Sequence, residues 1–149
     1  MASLEDAFAS EEKKSIVIDE CLHLLDLEVA DKSGISGLAV KAGFKAVKGV
    51  RPGFIRGVVH DLLPEFAKAL DPMYQDAVSG GKDVGKYFSD KSAEAADALL
   101  SITDKKAVNA KNRLVKTTYN KLRGQAKKNV EAAMPRLGKL IEKHGPAAD

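Results

Sequence analysis

The chain contains no tryptophan, one cysteine, three histidines and five prolines in 149 residues, and only 5% of it is aromatic. A lone thiol, Cys21, forms no disulfide within the chain, so the framework of a small secreted domain is excluded and a reducing cytoplasm is the expected compartment. So few histidines and cysteines leave little material for a metal or nucleophilic site, and no cofactor is expected. No stretch approaches the roughly 20 apolar residues that span a bilayer. The opening Met1–Asp6 is acidic, unlike a secretory leader. Runs of alternating β-branched residues of strand length are missing as well.

What is present is helical pattern. With 44% hydrophobic and 30% charged residues the composition is that of a globular protein. The length predicts a single domain over 1–149, with a possible division into sub-bundles at 79–82, where Ser79-Gly80-Gly81 is the clearest loop. Ser10 caps a first helix to about Asp31, with Ile18, Leu22, Leu25 and Val29 inward and Val17, Cys21 and Leu24 widening the stripe. Gly34 suits a left-handed end to it. Ser36 caps a second helix to about Val50, with Val40, Phe44 and Val47 opposite Lys41, Lys45 and Lys48.

Prolines and caps divide the rest. Helical pieces are expected at Phe54–Leu63, at Glu65–Leu70 after Pro64, from Pro72 to about Val78, at Val84–Phe88, and from Ser89 or Asp90 to Ile102. Thr103 and Asp104 start a further turn. Lys111 to Ala133 makes the longest helix, about 34 Å, and Pro135 opens a last one. The expected fold class is all-α, a bundle of six to eight helices with a long amphipathic helix near its C-terminus.

The net charge of +3 conceals segregation. Residues 1–31 hold nine acids against Lys13 and Lys14, and residues 32–60 hold six bases and no acid. Residues 61–104 carry nine acids and four lysines, and residues 105–143 carry twelve bases against Glu131 and Glu142. On the plainer reading, acidic and basic helices lie side by side and neutralise each other. On the sharper one, the basic segments share a face that attracts a polyanion. Its candidates are Lys41, Lys45 and Lys48 on the second helix, with Arg113, Lys116, Arg123 and Lys127 on the long one, flanked by Lys121 and Lys128. Nineteen lysines against five arginines, with no aromatic residue in the stripe, imply nucleic-acid contacts that are nonspecific and salt-sensitive.

Other motifs are weak. Gly80 to Lys86 matches the start of a phosphate-binding loop, but Tyr87 stands where Ser or Thr is required and no strand precedes it. Asp19, His23 and Asp26 share a helix face at i, i+4, i+7, the spacing of a weak metal candidate whose plainer reading is a solvated polar stripe. His60, Asp61 and Glu65 lose helical register at Pro64. Cys21 lies on an apolar face and reads as a core residue. The second helix also has the layout of one lying on an anionic membrane, against which burial in the protein's own core is the plainer reading.

Three stretches resemble a family of small, uncharacterised all-α bacterial proteins: Glu28–Lys48 (EVADKSGISGLAVKAGFKAVK), Leu62–Phe66 (LLPEF), and Ala126–Lys128 with Met134–Gly138 (MPRLG). The resemblance implies a bacterial cytoplasmic protein that is a complete domain, and it carries over no activity and no site residues. With no coherent catalytic constellation, the expected function is a non-enzymatic interaction or scaffold module. Its expected partners are another protein or a second copy, then nucleic acid, then an anionic membrane; no small-molecule substrate is identified.

Overall fold

The computed structural model describes residues 2–146, and among them every regular element is a helix. The elements are α1 (Leu4–Ala7), α2 (Glu11–Asp31), α3 (Gly34–Lys48), α4 (Phe54–Ser79), α5 (Val84–Asp90), α6 (Ser92–Val108) and α7 (Arg113–His144). The architecture is all-α, and the long helix lies where it was expected.

Local chemistry sets most of the boundaries. The Ser10 hydroxyl accepts from the Lys13 amide and opens α2, with Glu11 and Glu12 in the first turn where the helix dipole favours negative charge. Gly34 has φ +72°, the left-handed conformation expected of it, so α2 and α3 are separated by little more than one reversal. α3 therefore starts before Ser36. Asp83 caps α5 by accepting from the Lys86 amide, and Asn112 caps α7 by accepting from the Val115 amide.

Three of the five prolines break nothing. Pro64 and Pro72 both lie inside α4, and Pro135 lies inside α7, so three expected pieces merge into one helix and two into another. Each proline forfeits one backbone hydrogen bond, and the burial of the surrounding residues outweighs that loss: Leu63, Ala67, Leu70, Tyr74 and Ala77 on α4, Met134, Gly138, Leu140 and Ile141 on α7. α6 likewise runs through Thr103 and Asp104 to Val108. At 1.5 Å per residue α7 is about 48 Å long, longer than the sequence pattern predicts.

One element escaped the sequence reading. Ser3 caps the short α1, whose Leu4 is wholly enclosed and whose Leu4 amide donates to Asp71 on α4 at 2.9 Å. The core unites α1, α2 and α4–α7: Tyr74, Phe88, Leu4, Met134 and Val17 are its largest fully enclosed side chains. Ala77 and Val84, on either side of the loop at 79–82, belong to the same cluster. α7 is the common partner, meeting α2, α3, α5 and α6. Gly85 and Gly138 let α5 and α7 approach closely, a Cβ on Gly138 falling 2.8 Å from the Gly85 carbonyl oxygen.

The core is off-centre. The buried residues of α7 all lie in its second half, from Met134 to His144, and the only buried position on α3 is Gly37. α3 and the first half of α7 thus form a flank whose apolar side chains are only half-covered. Among the described residues no helix is long and apolar enough to cross a membrane.

Candidate interaction surface

α3 packs on the first half of α7 through a small-residue contact: a Cβ on Gly43 would meet the Leu122 and Thr118 side chains at 2.9 and 3.0 Å. Arg136 of α7 reaches back to Glu28 and Asp31, immediately before α3, so α3 and α7 run antiparallel. Val40, Phe44 and Val47 are half-buried on the inner side, as their spacing predicts.

The outer side of α3 is apolar where solvent is expected. Ile35 is 90% exposed and Leu38 67%, with Ala39 and Ala42 open beside them. The helical period puts these residues on one face. A shallow open depression runs beside them, lined by Lys32, Ser33, Gly34, Ile35, Leu38 and Lys41. Lys41 and Lys45 border the strip and are exposed, with no carboxylate within 4 Å among the described residues. Lys48, the third lysine of that set, reaches Asp26 at 4.0 Å and lies over the Phe44 ring.

α7 divides its bases between two sides. Arg123 forks onto Asp104 of α6 at 2.8 and 3.0 Å, and Lys127 reaches Asp97 at 3.1 Å. Tyr119 donates to the same Asp104 at 2.5 Å and lies 2.7 Å from the Thr103 hydroxyl. The guanidinium of Arg123, then the Tyr119 hydroxyl, holds the Asp104 carboxyl below the usual carboxylate range. These bases serve the α6–α7 contact.

The other bases in the first half of α7 are unclaimed. Arg113, Lys116, Lys121 and Lys128 are exposed and have no carboxylate within 4 Å among the described residues. Because Thr118 and Leu122 face α3, the helical period sets Lys121 and Lys128 on the outward side next to α3. The apolar strip of α3 therefore lies between Lys41 and Lys45 on one side and Lys121 and Lys128 on the other. The expected set of seven bases is not one patch: Lys41, Lys45, Arg113 and Lys116 are free, Lys48 is loosely held, and Arg123 and Lys127 are engaged.

The remaining candidates resolve into structure. Asp19 accepts from Arg56 at 2.6 Å and Asp26 faces Lys48, while His23 is exposed, so the three do not converge on a common point. Among the described residues no three His, Cys, Asp or Glu side chains gather as metal ligands. In the phosphate-loop-like segment most of the backbone amides are already used: Gly81 donates to Val78, Lys82 to Ala77, Gly85 to Glu142 and Lys86 to Asp83. Burial pushes the Cys21 thiol up to about 11, which favours the protonated thiol at neutral pH. Ile35 and Leu38 escaped the sequence reading. The signal was available, since they fall at i, i+3 on the face opposite Val40, Phe44 and Val47.

No curated protein and no solved structure matches the chain. Residues 4–145 match the model of the family of unknown function DUF6918, and the chain belongs to that family.

Proposed function

We propose that this protein is a non-enzymatic helical interaction module whose contact surface is the outward face of α3. One observation carries the reading: in a bundle whose core encloses Leu4, Val17, Tyr74, Phe88 and Met134, the large apolar Ile35 and Leu38 stand in solvent on a single helix face. Exposed apolar residues scattered singly are ordinary, but adjacent ones rimmed by lysines mark a contact site. The thin packing of α3 supports it, because the flank lacks the cover that the rest of the bundle has. The expected compartment is the bacterial cytoplasm, in line with a single half-buried thiol.

A photo-reactive residue in place of Leu38, compared in living cells with one in place of exposed Ser101 on α6, tests the surface. Adducts at position 38 and none at 101 are expected, whether to protein or to lipid. Absence of any adduct at 38 would remove the reading.

A second reading rests on the unpaired bases of α7. Arg113, Lys116, Lys121 and Lys128 are exposed bases with no carboxylate partner among the described residues, suited to the phosphates of a nucleic acid, with binding that is weak, nonspecific and steeply salt-dependent. Titration of labelled duplex DNA and single-stranded RNA at low and near-physiological salt measures it. Lys116→Glu with Lys121→Glu is expected to weaken that binding, and unchanged affinity would refute it.

A further inference from the structure

We propose that the outward face of α3 docks on an anionic lipid bilayer, with Ile35 and Leu38 entering the boundary between headgroups and acyl chains. Lys41 and Lys45 on one side, and Lys121 and Lys128 on the other, then lie over lipid phosphates. The inference rests on α3 being the contact surface and names its occupant.

Shape comes first. Ile35 and Leu38 project from a convex helix, flanked by Ala39 and Ala42, and the depression beside them is shallow. A protein partner needs a complementary pocket and a contact of roughly 20–30 residues a side, whereas a bilayer accepts protruding side chains without one. Ile35, Leu38, Ala39 and Ala42 fall far short of that number, whereas an interfacial helix buries only its own apolar face.

Charge comes second, and it selects the kind of surface. No acid occurs between residues 32 and 60 or between 105 and 130, the segments that supply this face. Of the acids nearest to it in the chain, Asp26 faces Lys48 and Glu28 and Asp31 are held by Arg136, while Glu131 stands one turn beyond Lys128. A predominantly basic field on both sides of an apolar strip matches a flat anionic sheet, to which juxtamembrane lysines are drawn. A second copy of the chain is disfavoured, because apposing two α3 faces would set lysines against lysines.

The absence of tryptophan makes the test clean, since a single Leu38→Trp substitution supplies the protein's one indole. With vesicles of phosphatidylcholine mixed with phosphatidylglycerol, its emission is expected to shift to the blue, and with phosphatidylcholine alone to stay unchanged. In flotation, the native chain is expected to rise with the anionic vesicles only, less as salt is added. Ile35→Ser combined with Leu38→Ser is expected to weaken that binding about a hundredfold, with far-ultraviolet dichroism and Tm unchanged, because both side chains already stand in water. Lys121→Glu with Lys128→Glu is expected to abolish it, while Lys68→Glu on α4 leaves it intact. No flotation with anionic vesicles, equal flotation with neutral ones, an unshifted tryptophan, or full binding by the double serine variant would each overturn the assignment. A protein adduct at position 38 together with failed flotation would sink the lipid proposal and leave the broader interaction reading standing. Loss of every adduct would sink both.

Discussion

Gly138 and Gly124 occupy one helix and face opposite environments. A Cβ on Gly138 would fall 2.8 Å from the Gly85 carbonyl oxygen and 3.2 Å from the Phe88 Cβ, whereas nothing lies within 4 Å of one on Gly124. Gly138→Ala is therefore expected to cost about 1–3 kcal/mol by forcing α5 off α7. Gly124→Ala is expected to add up to about 1 kcal/mol, from helix propensity alone. Urea unfolding of both variants checks the pair, and effects of equal sign would contradict the close α5–α7 contact. A second side chain, Asp104, gives a pH prediction. Its carboxyl is held low in the folded state, so its contribution is present above the ordinary carboxylate range and is lost as pH falls through the folded-state value. Because Asp104 and Arg123 are each about 40% exposed, that contribution stays below about 1 kcal/mol. Asp104→Asn is expected to lower Tm at neutral pH and to flatten the acid limb of a Tm-versus-pH curve. An unchanged acid limb would show that the fork does not contribute.

At the scale of elements, the prolines show why periodicity outlasts a helix-breaker. Pro135 lies on the exposed side of α7, one residue after fully enclosed Met134 and three before buried Gly138. Packing on both sides holds the helix through a residue that removes a hydrogen bond and crowds the preceding turn. Pro135→Ala is expected to restore that bond and raise stability by about 1–2 kcal/mol, after the loss of proline's restriction of the unfolded chain is subtracted. A fall in stability would mean that α7 is bent at this point to fit its neighbours. Helix starts marked by side-chain caps, such as Ser10, were legible in the sequence, and so was the inward face of α2 around Val17 and Ile18. Continuity through Pro64, Pro72 and Pro135 was not legible, because local rules speak only of the first residue lost. α1 was missed for a related reason: its four residues are too short for a period, and it is held by the burial of Leu4 and by Asp71, far away in sequence. The candidate surface was half legible. The lysines of α3 and α7 were visible as runs, but their sorting into engaged and free depends on which helix each one faces.

At the scale of the whole molecule, the segregated charge resolves into two populations. Acids of residues 1–31 meet bases near the C-terminal end of α7, Glu20 with Lys143 and His144, and Glu28 and Asp31 with Arg136. Acids of residues 61–104 meet Lys106, Arg123 and Lys127. What these pairings leave over is the outer side of α3 and of the first half of α7, so neutralisation and a basic surface coexist on different faces of the same helix. Charge reversal separates them. Arg123→Glu sets a carboxylate against Asp104 and leaves the Tyr119 hydroxyl between two acids, so it is expected to lower stability. Lys116→Glu meets no charged partner and is expected to change stability by no more than about 0.5 kcal/mol, while weakening whatever polyanion binding the protein has. Thermal unfolding and a salt-dependent binding titration on the two variants read the two populations independently. Equal losses of stability would mean that the free lysines carry structural partnerships of their own, and the outer face of α7 would then be part of the fold rather than a surface for binding.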